Sequence, residues 1–145
     1  MAPLVVLVTV TLAARGLGAL GVDSLGGWPA AVTSGLVAML LVTASAHFTQ
    51  PRRAALIAMV PPRVPRPGLV VTVTGVLELA AAAGLVLPAT RTAAGICLAL
   101  LLVVMFPANV HAARASTGVR TMPLPARSAL QVVFVAACLV AALAR

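Results

Sequence analysis

Five long apolar stretches, separated by short polar breaks, limit what this chain can fold into. They cover residues 3–22, 29–47, 68–87, 92–112 and 128–144. Each has close to the roughly 20 residues that cross a bilayer as a helix. Because hydrocarbon offers the backbone no water, stretches of this length satisfy their main-chain groups as helices. The sequence therefore predicts an all-α, polytopic transmembrane helix bundle that forms a single domain over residues 1–145.

The composition indicates that lipid surrounds most of the side chains. Of the 145 residues, 62% are hydrophobic and 8% are charged, whereas about a quarter of a soluble domain is charged. This excludes an ordinary soluble enzyme, a disordered chain and a coiled coil. The net charge of +8 does not indicate nucleic-acid binding, which needs a clustered basic face, often with stacking aromatic residues. Here the arginines lie in the breaks, so we expect the bilayer, and no nucleic acid, as a partner.

The charges in the breaks predict an orientation. If all five stretches span, seven arginines lie on one side: Arg52, Arg53, Arg63, Arg66, Arg114, Arg120 and Arg127. The other side has Asp23, Arg91 and Arg145. The positive-inside rule then places the seven arginines and the N-terminus in the cytoplasm, with the chain in the inner (plasma) membrane. The alternative for the first stretch is a cleaved signal peptide, but a basic n-region is missing and Arg15 lies inside the stretch.

The longest break, residues 50–67, contains five prolines. Within it, residues Arg52–Val60 combine arginines with Leu56, Ile57 and Met59. This pattern predicts a short helix that lies in the membrane interface, with its apolar side chains dipping into lipid.

Glu78 is the polar residue that most needs an explanation. It lies midway along the third stretch, where a carboxyl group is costly unless it is paired, protonated or facing a cavity. Thr74, four residues earlier on the same helix face, is a candidate hydrogen-bond partner. Arg15 lies at a comparable depth, so one expectation is a buried Arg15–Glu78 ion pair. The alternatives are a proton-exchanging or ligand-binding carboxyl, and a protonated glutamate bonded to a backbone carbonyl.

Three further polar side chains, His47, Asn109 and His111, lie at the ends of the second and fourth stretches. In the predicted topology all three are near the cytoplasmic face, where they could converge with Glu78 on a ligand pocket. The alternative is that the histidines are ordinary interface residues. Two histidines and a glutamate also resemble a facial metal set, but no HxxxH or ExxH spacing supports one, and we expect no metal.

No motif predicts an active site. The chain has no phosphate loop, nucleophile elbow or zinc-protease helix. Its two acidic residues, Asp23 and Glu78, are expected to lie apart, which excludes paired-carboxylate hydrolysis. Cys97 and Cys138 do not form a CxxC motif, so thiol–disulfide exchange lacks its reagent. We expect no catalytic residue, no intrinsic cofactor and no enzyme activity from the chain alone.

Five short motifs follow one another from the end of the second stretch to the end of the fourth. They are HFTQP at 47–51, VPP at 60–62 with Pro65, TGVLEL at 74–79, GLVLP at 84–88 with Arg91, and FPANVH at 106–111. In this combination the chain resembles the DoxX-like family of small bacterial membrane proteins, from about Trp28 to the C-terminus. The resemblance implies a four-helix core, with the first stretch as an N-terminal addition. It also points to His47, Glu78, Asn109 and His111 as functional positions.

The same resemblance implies a role in a membrane redox system. Some members are small subunits of thiosulfate:quinone oxidoreductase, and others join oxidoreductase complexes linked to oxidative stress. We therefore expect a membrane subunit or partner of a redox system, with quinone as the candidate ligand and a partner oxidoreductase as the electron source. The alternatives are a non-catalytic membrane scaffold or assembly protein and a small transporter.

Overall fold

The computed structural model describes residues 2–114 and 122–143, and in this part of the chain all regular structure is helical. The helices are α1 (Ala2–Ala19), α2 (Trp28–Phe48), α3 (Arg52–Met59), α4 (Pro67–Val86), α5 (Arg91–Arg114) and α6 (Leu124–Ala142), with a 3₁₀ turn at Asp23–Leu25. The predicted all-α fold is confirmed. Arg120, Ala144 and Arg145, on which parts of the sequence predictions rest, lie outside the described residues.

All the α-helices except α3 are long and apolar enough to cross a membrane. These five helices are consistent with a multi-pass membrane protein and follow the five predicted stretches closely. The largest shift is in α6, which begins at Leu124 instead of Ser128. Pro125 lies in its first turn, where the missing amide leaves no helix hydrogen bond unmade. The short α3 is the helix expected within residues 52–60, and it ends at Met59.

Four of the long helices form a ring. Helix α2 contacts α4, α4 contacts α5, α5 contacts α6, and α6 contacts α2, while α1 packs against α2. Neighbours in the chain run antiparallel: Thr92 at the start of α5 donates a 2.9 Å hydrogen bond to the carbonyl of Ala142 at the end of α6. The architecture is a four-helix bundle with an additional N-terminal helix, in agreement with the sequence prediction.

The two ends of the bundle differ in charge. At the arginine end, α2 and α5 finish, α4 and α6 begin, and α3 packs against α2, α4 and α5. Its described arginines are Arg52, Arg53, Arg63, Arg66, Arg114 and Arg127. The opposite end, the tryptophan end, contains Arg15, Asp23, Trp28 and Arg91. The division matches the predicted grouping of charges, apart from the residues that the structure does not describe.

Small residues allow the ring helices to approach closely. The largest fully buried side chains are Leu36, Leu40, Leu85, Leu98 and Cys138. At Gly95, a β-carbon would lie 2.7 Å from that of Ala142, so α5 and α6 can touch only because the side chain is missing. Such van der Waals contact holds helices together in lipid, where apolar surface gains nothing from leaving one hydrocarbon for another.

Candidate functional site

A buried ionisable pair joins α2 to α4 inside the ring, on the side of the arginine end. His47 is 4% exposed and Glu78 is 5% exposed. The Nε2 atom of His47 lies 3.4 Å from the Oε1 atom of Glu78. We call these two residues the His–Glu couple. The couple explains how a carboxyl group is tolerated in the middle of an apolar stretch, because Glu78 has a partner within the bundle.

The backbone of α4 determines which ring nitrogen of His47 carries a hydrogen. Nδ1 lies 2.7 Å from the carbonyl oxygen of Val71. A carbonyl only accepts hydrogen bonds, so Nδ1 is the donor. Thr74 adds a second acceptor, because its Oγ1 lies 3.2 Å from Nδ1 while its hydroxyl is 3.0 Å from the carbonyl of Val70. Thr74 thus orients His47. The sequence spacing had suggested a hydrogen bond from Thr74 to Glu78, and the structure does not show one.

Thr43 fixes the other side of the couple. Its hydroxyl donates a 2.7 Å hydrogen bond to Oε2 of Glu78. Oε2 is therefore an acceptor, and the carboxyl group can meet His47 only through Oε1. Since Nδ1 already holds its hydrogen, the contact between Nε2 and Oε1 is favourable when one proton lies between them.

A couple that holds one proton between its two side chains fits this geometry. The proton can reside on His47, giving an imidazolium–carboxylate pair, or on Glu78, giving two neutral groups. Both forms have zero net charge, which is the form that a low-dielectric interior tolerates best. Removing the proton would leave a buried negative charge, and adding one would leave a buried positive charge. Chemically, the couple can hold, donate or accept a proton, but neither side chain carries electrons.

Arg53 on α3 closes the site at the arginine end. Its Nη1 donates to the carbonyl oxygen of His47. Its Nη2 donates to the carbonyl of Gly68 at 3.1 Å and to Oγ1 of Thr72 at 2.9 Å. One guanidinium group thus satisfies a carbonyl at the end of α2 and ties α3 to the first turns of α4.

We expect Arg53→Lys to loosen α3, because a lysine ammonium cannot reproduce the planar fork that reaches α2 and α4 together. The expected loss is about 1 to 2 kcal/mol, since Arg53 is partly exposed and solvent screens its bonds. Hydrogen exchange in nanodiscs should show α3 amides exchanging about tenfold faster. Arg52→Lys is the matched control because Arg52 is exposed, and equal exchange rates in the two variants would contradict the assignment.

The structure corrects the predicted Arg15–Glu78 ion pair. Arg15 Nη1 donates a 2.8 Å hydrogen bond to the carbonyl of Gly26, and its guanidinium carbon lies 5.3 Å from the centre of the Trp28 ring. Long basic side chains extend toward the nearest interface, which for Arg15 is the tryptophan end. The side chain of Glu78 points back toward the start of its helix, and thus toward His47.

Asn109 and His111 do not join the couple. The Oδ1 atom of Asn109 accepts a 2.8 Å hydrogen bond from Nη1 of Arg127, which connects α5 to α6. His111 lies partly buried near the end of α5. No hydrogen bond or ion pair between described residues links either side chain to His47 or Glu78, and no three His, Cys, Asp or Glu residues among them could share a metal ion. Two of the four predicted site residues are thus in contact.

Sequence reasoning missed Thr43 and Arg53 as members of the site. Thr43 had a detectable signal, since it lies four residues before His47 and therefore on the same face of α2. Arg53 was predicted to mark the orientation and to belong to the short interfacial helix, without a role in the site.

A further buried group is Nε2 of Gln131 on α6, which has no hydrogen-bond partner among the described residues.

An apolar groove of about 630 Å³ runs between α4 and α5 toward the tryptophan end. Small residues form much of its lining, including Ala80, Ala83, Gly84, Ala93 and Cys97. A smaller groove of about 270 Å³ separates α1 from α6 over α2. None of the four predicted site residues lines either groove.

Comparison with known proteins places the chain in a family without assigning it an activity. No curated protein matches the chain, and no solved structure matches it. One family pattern, described as a domain of unknown function (DUF8561), matches residues 36–142. The match begins within α2 and ends with α6, so it includes the His–Glu couple, Arg53 and nearly all of the four-helix ring. This match extends over more than half of the chain, and the chain therefore belongs to the DUF8561 family.

Proposed function

We propose that the chain is the membrane subunit or partner of a redox system and performs no catalysis alone. The observation that carries the proposal is the His–Glu couple, in which Nε2 of His47 lies 3.4 Å from Oε1 of Glu78 inside the helix bundle. A quinone gains protons when it gains electrons, so a membrane-embedded proton carrier suits a quinone-linked system. The redox context itself comes from the motifs that resemble the DoxX-like family.

In this proposal a partner oxidoreductase supplies the electrons, because the His–Glu couple exchanges only protons. The apolar groove between α4 and α5 suits an isoprenoid tail, since its lining is almost entirely hydrocarbon. The protein lies in the inner membrane with the arginine end and the N-terminus in the cytoplasm. The positive-inside rule supports that orientation, because six described arginines lie at one end.

Isolation from the native membrane in a mild detergent tests the proposal. We expect a cofactor-bearing oxidoreductase to remain bound in near-stoichiometric amount, and solvent extraction to yield quinone. Ala83→Phe should fill the groove and lower the quinone content severalfold. Ala129→Phe is the matched control, because Ala129 is exposed on α6 and does not line the groove. A chain that retains neither an oxidoreductase nor quinone would overturn the proposal.

A non-catalytic scaffold is the second candidate, and the closed environment of the couple favours it. His47 and Glu78 are buried, and their polar atoms have partners within the chain. Glu78→Gln separates the two candidates, because glutamine can keep the hydrogen bonds but cannot exchange the proton. In a proton-carrying subunit, quinone reduction by the purified complex slows severalfold. In a scaffold, the complex forms and turns over at the wild-type rate.

Transport receives little support from the described residues. Several hydroxyl groups that could line a polar path donate instead to carbonyls one turn earlier in their own helices, as in Thr9, Ser34 and Thr72. Ser and Thr hydroxyl groups in membrane helices usually satisfy their hydrogen-bonding capacity in this way. These hydroxyl groups therefore do not support a transport path.

A further inference from the structure

The surface of the arginine end carries positive charge without acidic neighbours. Its exposed arginines are Arg52, Arg63, Arg66 and Arg114. Both acidic side chains lie elsewhere: Asp23 is at the tryptophan end, and Glu78 is buried against His47. Within the described chain, these four guanidinium groups therefore have no carboxylate partner.

Helix α3 is tied to the neighbouring helices at this end of the bundle. It contacts α2, α4 and α5, and the bonds from Arg53 hold it against the end of α2 and the start of α4. Arg52 begins α3, Arg63 and Arg66 lie in the connection from α3 to α4, and Arg114 ends α5. The four arginines thus belong to α3, to the connection that follows it and to the end of α5, which α3 contacts.

Apolar side chains lie beside these charges at the same end of the bundle. Phe48 is 44% exposed, Val64 is 36% exposed and Leu69 is 54% exposed. Phe48 ends α2, and Leu69 lies in the first turn of α4. Exposed apolar groups next to cations, at the ends of membrane-spanning helices, match the boundary between acyl chains and phosphate groups.

We propose that this surface of the arginine end binds the head groups of anionic phospholipids. Guanidinium groups form paired hydrogen bonds with phosphate oxygens, and the neighbouring apolar side chains contact the acyl chains of the same lipids. An acidic soluble protein would complement the charges alone, whereas an anionic phospholipid complements both the charges and the neighbouring apolar side chains. The chemistry of the surface as a whole therefore favours lipid.

The affinity should fall stepwise as arginines are removed. A basic residue close to an anionic membrane surface contributes about fivefold in affinity. Replacing all four exposed arginines with glutamine should thus weaken the preference for anionic lipid by several hundredfold, because the four contributions multiply. Replacing the same four with lysine keeps the charge and should retain most of the preference.

Native mass spectrometry of the purified full-length chain tests the proposal, with equal amounts of phosphatidylglycerol and phosphatidylcholine in the detergent. We expect the wild type and the lysine variant to retain phosphatidylglycerol selectively, and the glutamine variant to retain both lipids equally. Higher ionic strength should reduce the selectivity, because these charges are exposed. Circular dichroism checks that each variant keeps its helical content.

Equal retention of the two lipids by the wild type would overturn the proposal. An unchanged preference in the folded glutamine variant would do the same. An acidic protein that binds the wild type in lipid-free detergent, is lost in the glutamine variant and accompanies no lipid preference would assign the surface to protein instead. Failure of the redox proposal leaves this test unaffected, since it uses the chain alone and none of the couple residues.

Discussion

Glu78→Ala is expected to lower the free energy of unfolding by about 3 kcal/mol. The substitution removes the carboxyl group that faces Nε2 of His47 and accepts from Thr43. Nε2 of His47 is then left without a partner, which costs about 1 to 3 kcal/mol for a buried group, and the missing side chain leaves a cavity that adds to the loss. The hydroxyl of Thr43 keeps the carbonyl of Leu40 as an acceptor at 3.2 Å. Reversible unfolding by sodium dodecyl sulfate in mixed micelles measures the loss.

Glu78→Gln should cost less than about 1 kcal/mol, because its amide can donate to Nε2 of His47 while its carbonyl accepts from Thr43. The contrast between the two variants isolates hydrogen bonding from charge. A double-mutant cycle with His47→Ala should give a coupling energy above about 1 kcal/mol, as expected for groups in direct contact. Strict additivity of Glu78→Ala and His47→Ala would show that the couple contributes no interaction energy.

A matched pair of threonines provides the control. Thr43→Val should cost about 1 kcal/mol, since it removes the donor to Glu78 without changing the volume of the side chain. Thr33 also lies on α2, but its hydroxyl donates to the carbonyl of Pro29 in its own helix. Thr33→Val should therefore change stability by less than about half of that amount.

The helices of this protein were predictable because lipid imposes their length. The apolar stretches indicate the number and approximate bounds of the spans. The arginines in the breaks indicate which breaks lie together at the same end of the bundle. The unusual position of Glu78 was equally visible, since a carboxyl group in the middle of an apolar stretch requires a partner. These inferences depend on residue type and spacing, which the sequence contains directly.

The partners of the polar residues were not predictable, for a physical reason. A helix in lipid is apolar on all sides, so hydrophobic periodicity does not reveal which face packs against a neighbour. Their similar depth along the stretches suggested that Arg15 pairs with Glu78. The rotation of the helices and the direction of the side chains instead bring His47 and Thr43 to Glu78. The hydrogen bond from Arg127 to Asn109 was not predicted for the same reason. Pairing in this bundle depends on small-residue contacts that set rotation and separation.

Gly75 is the small residue that sets the distance between α2 and α4 at the couple. A β-carbon at this position would lie 2.5 Å from Cβ of His47, 2.9 Å from its Cγ and 3.0 Å from the ring of Phe48. Gly75→Ala should therefore push His47 away from Glu78 and lower the free energy of unfolding by about 2 kcal/mol, within the usual range for overpacking. The displaced ring should also change the ¹⁵N chemical shifts of His47.

Gly16→Ala is the control, because it makes the same chemical change in a helix where a β-carbon meets no atom within 4 Å. Removing a helical glycine there should stabilise the chain by up to about 1 kcal/mol. The two variants are thus expected to differ by about 3 kcal/mol in unfolding, with opposite signs relative to the wild type. Equal stabilities, or an unchanged His47 spectrum in the folded Gly75→Ala variant, would mean that α2 and α4 do not approach at Gly75. The close packing that brings His47 to Glu78 would then be disproved.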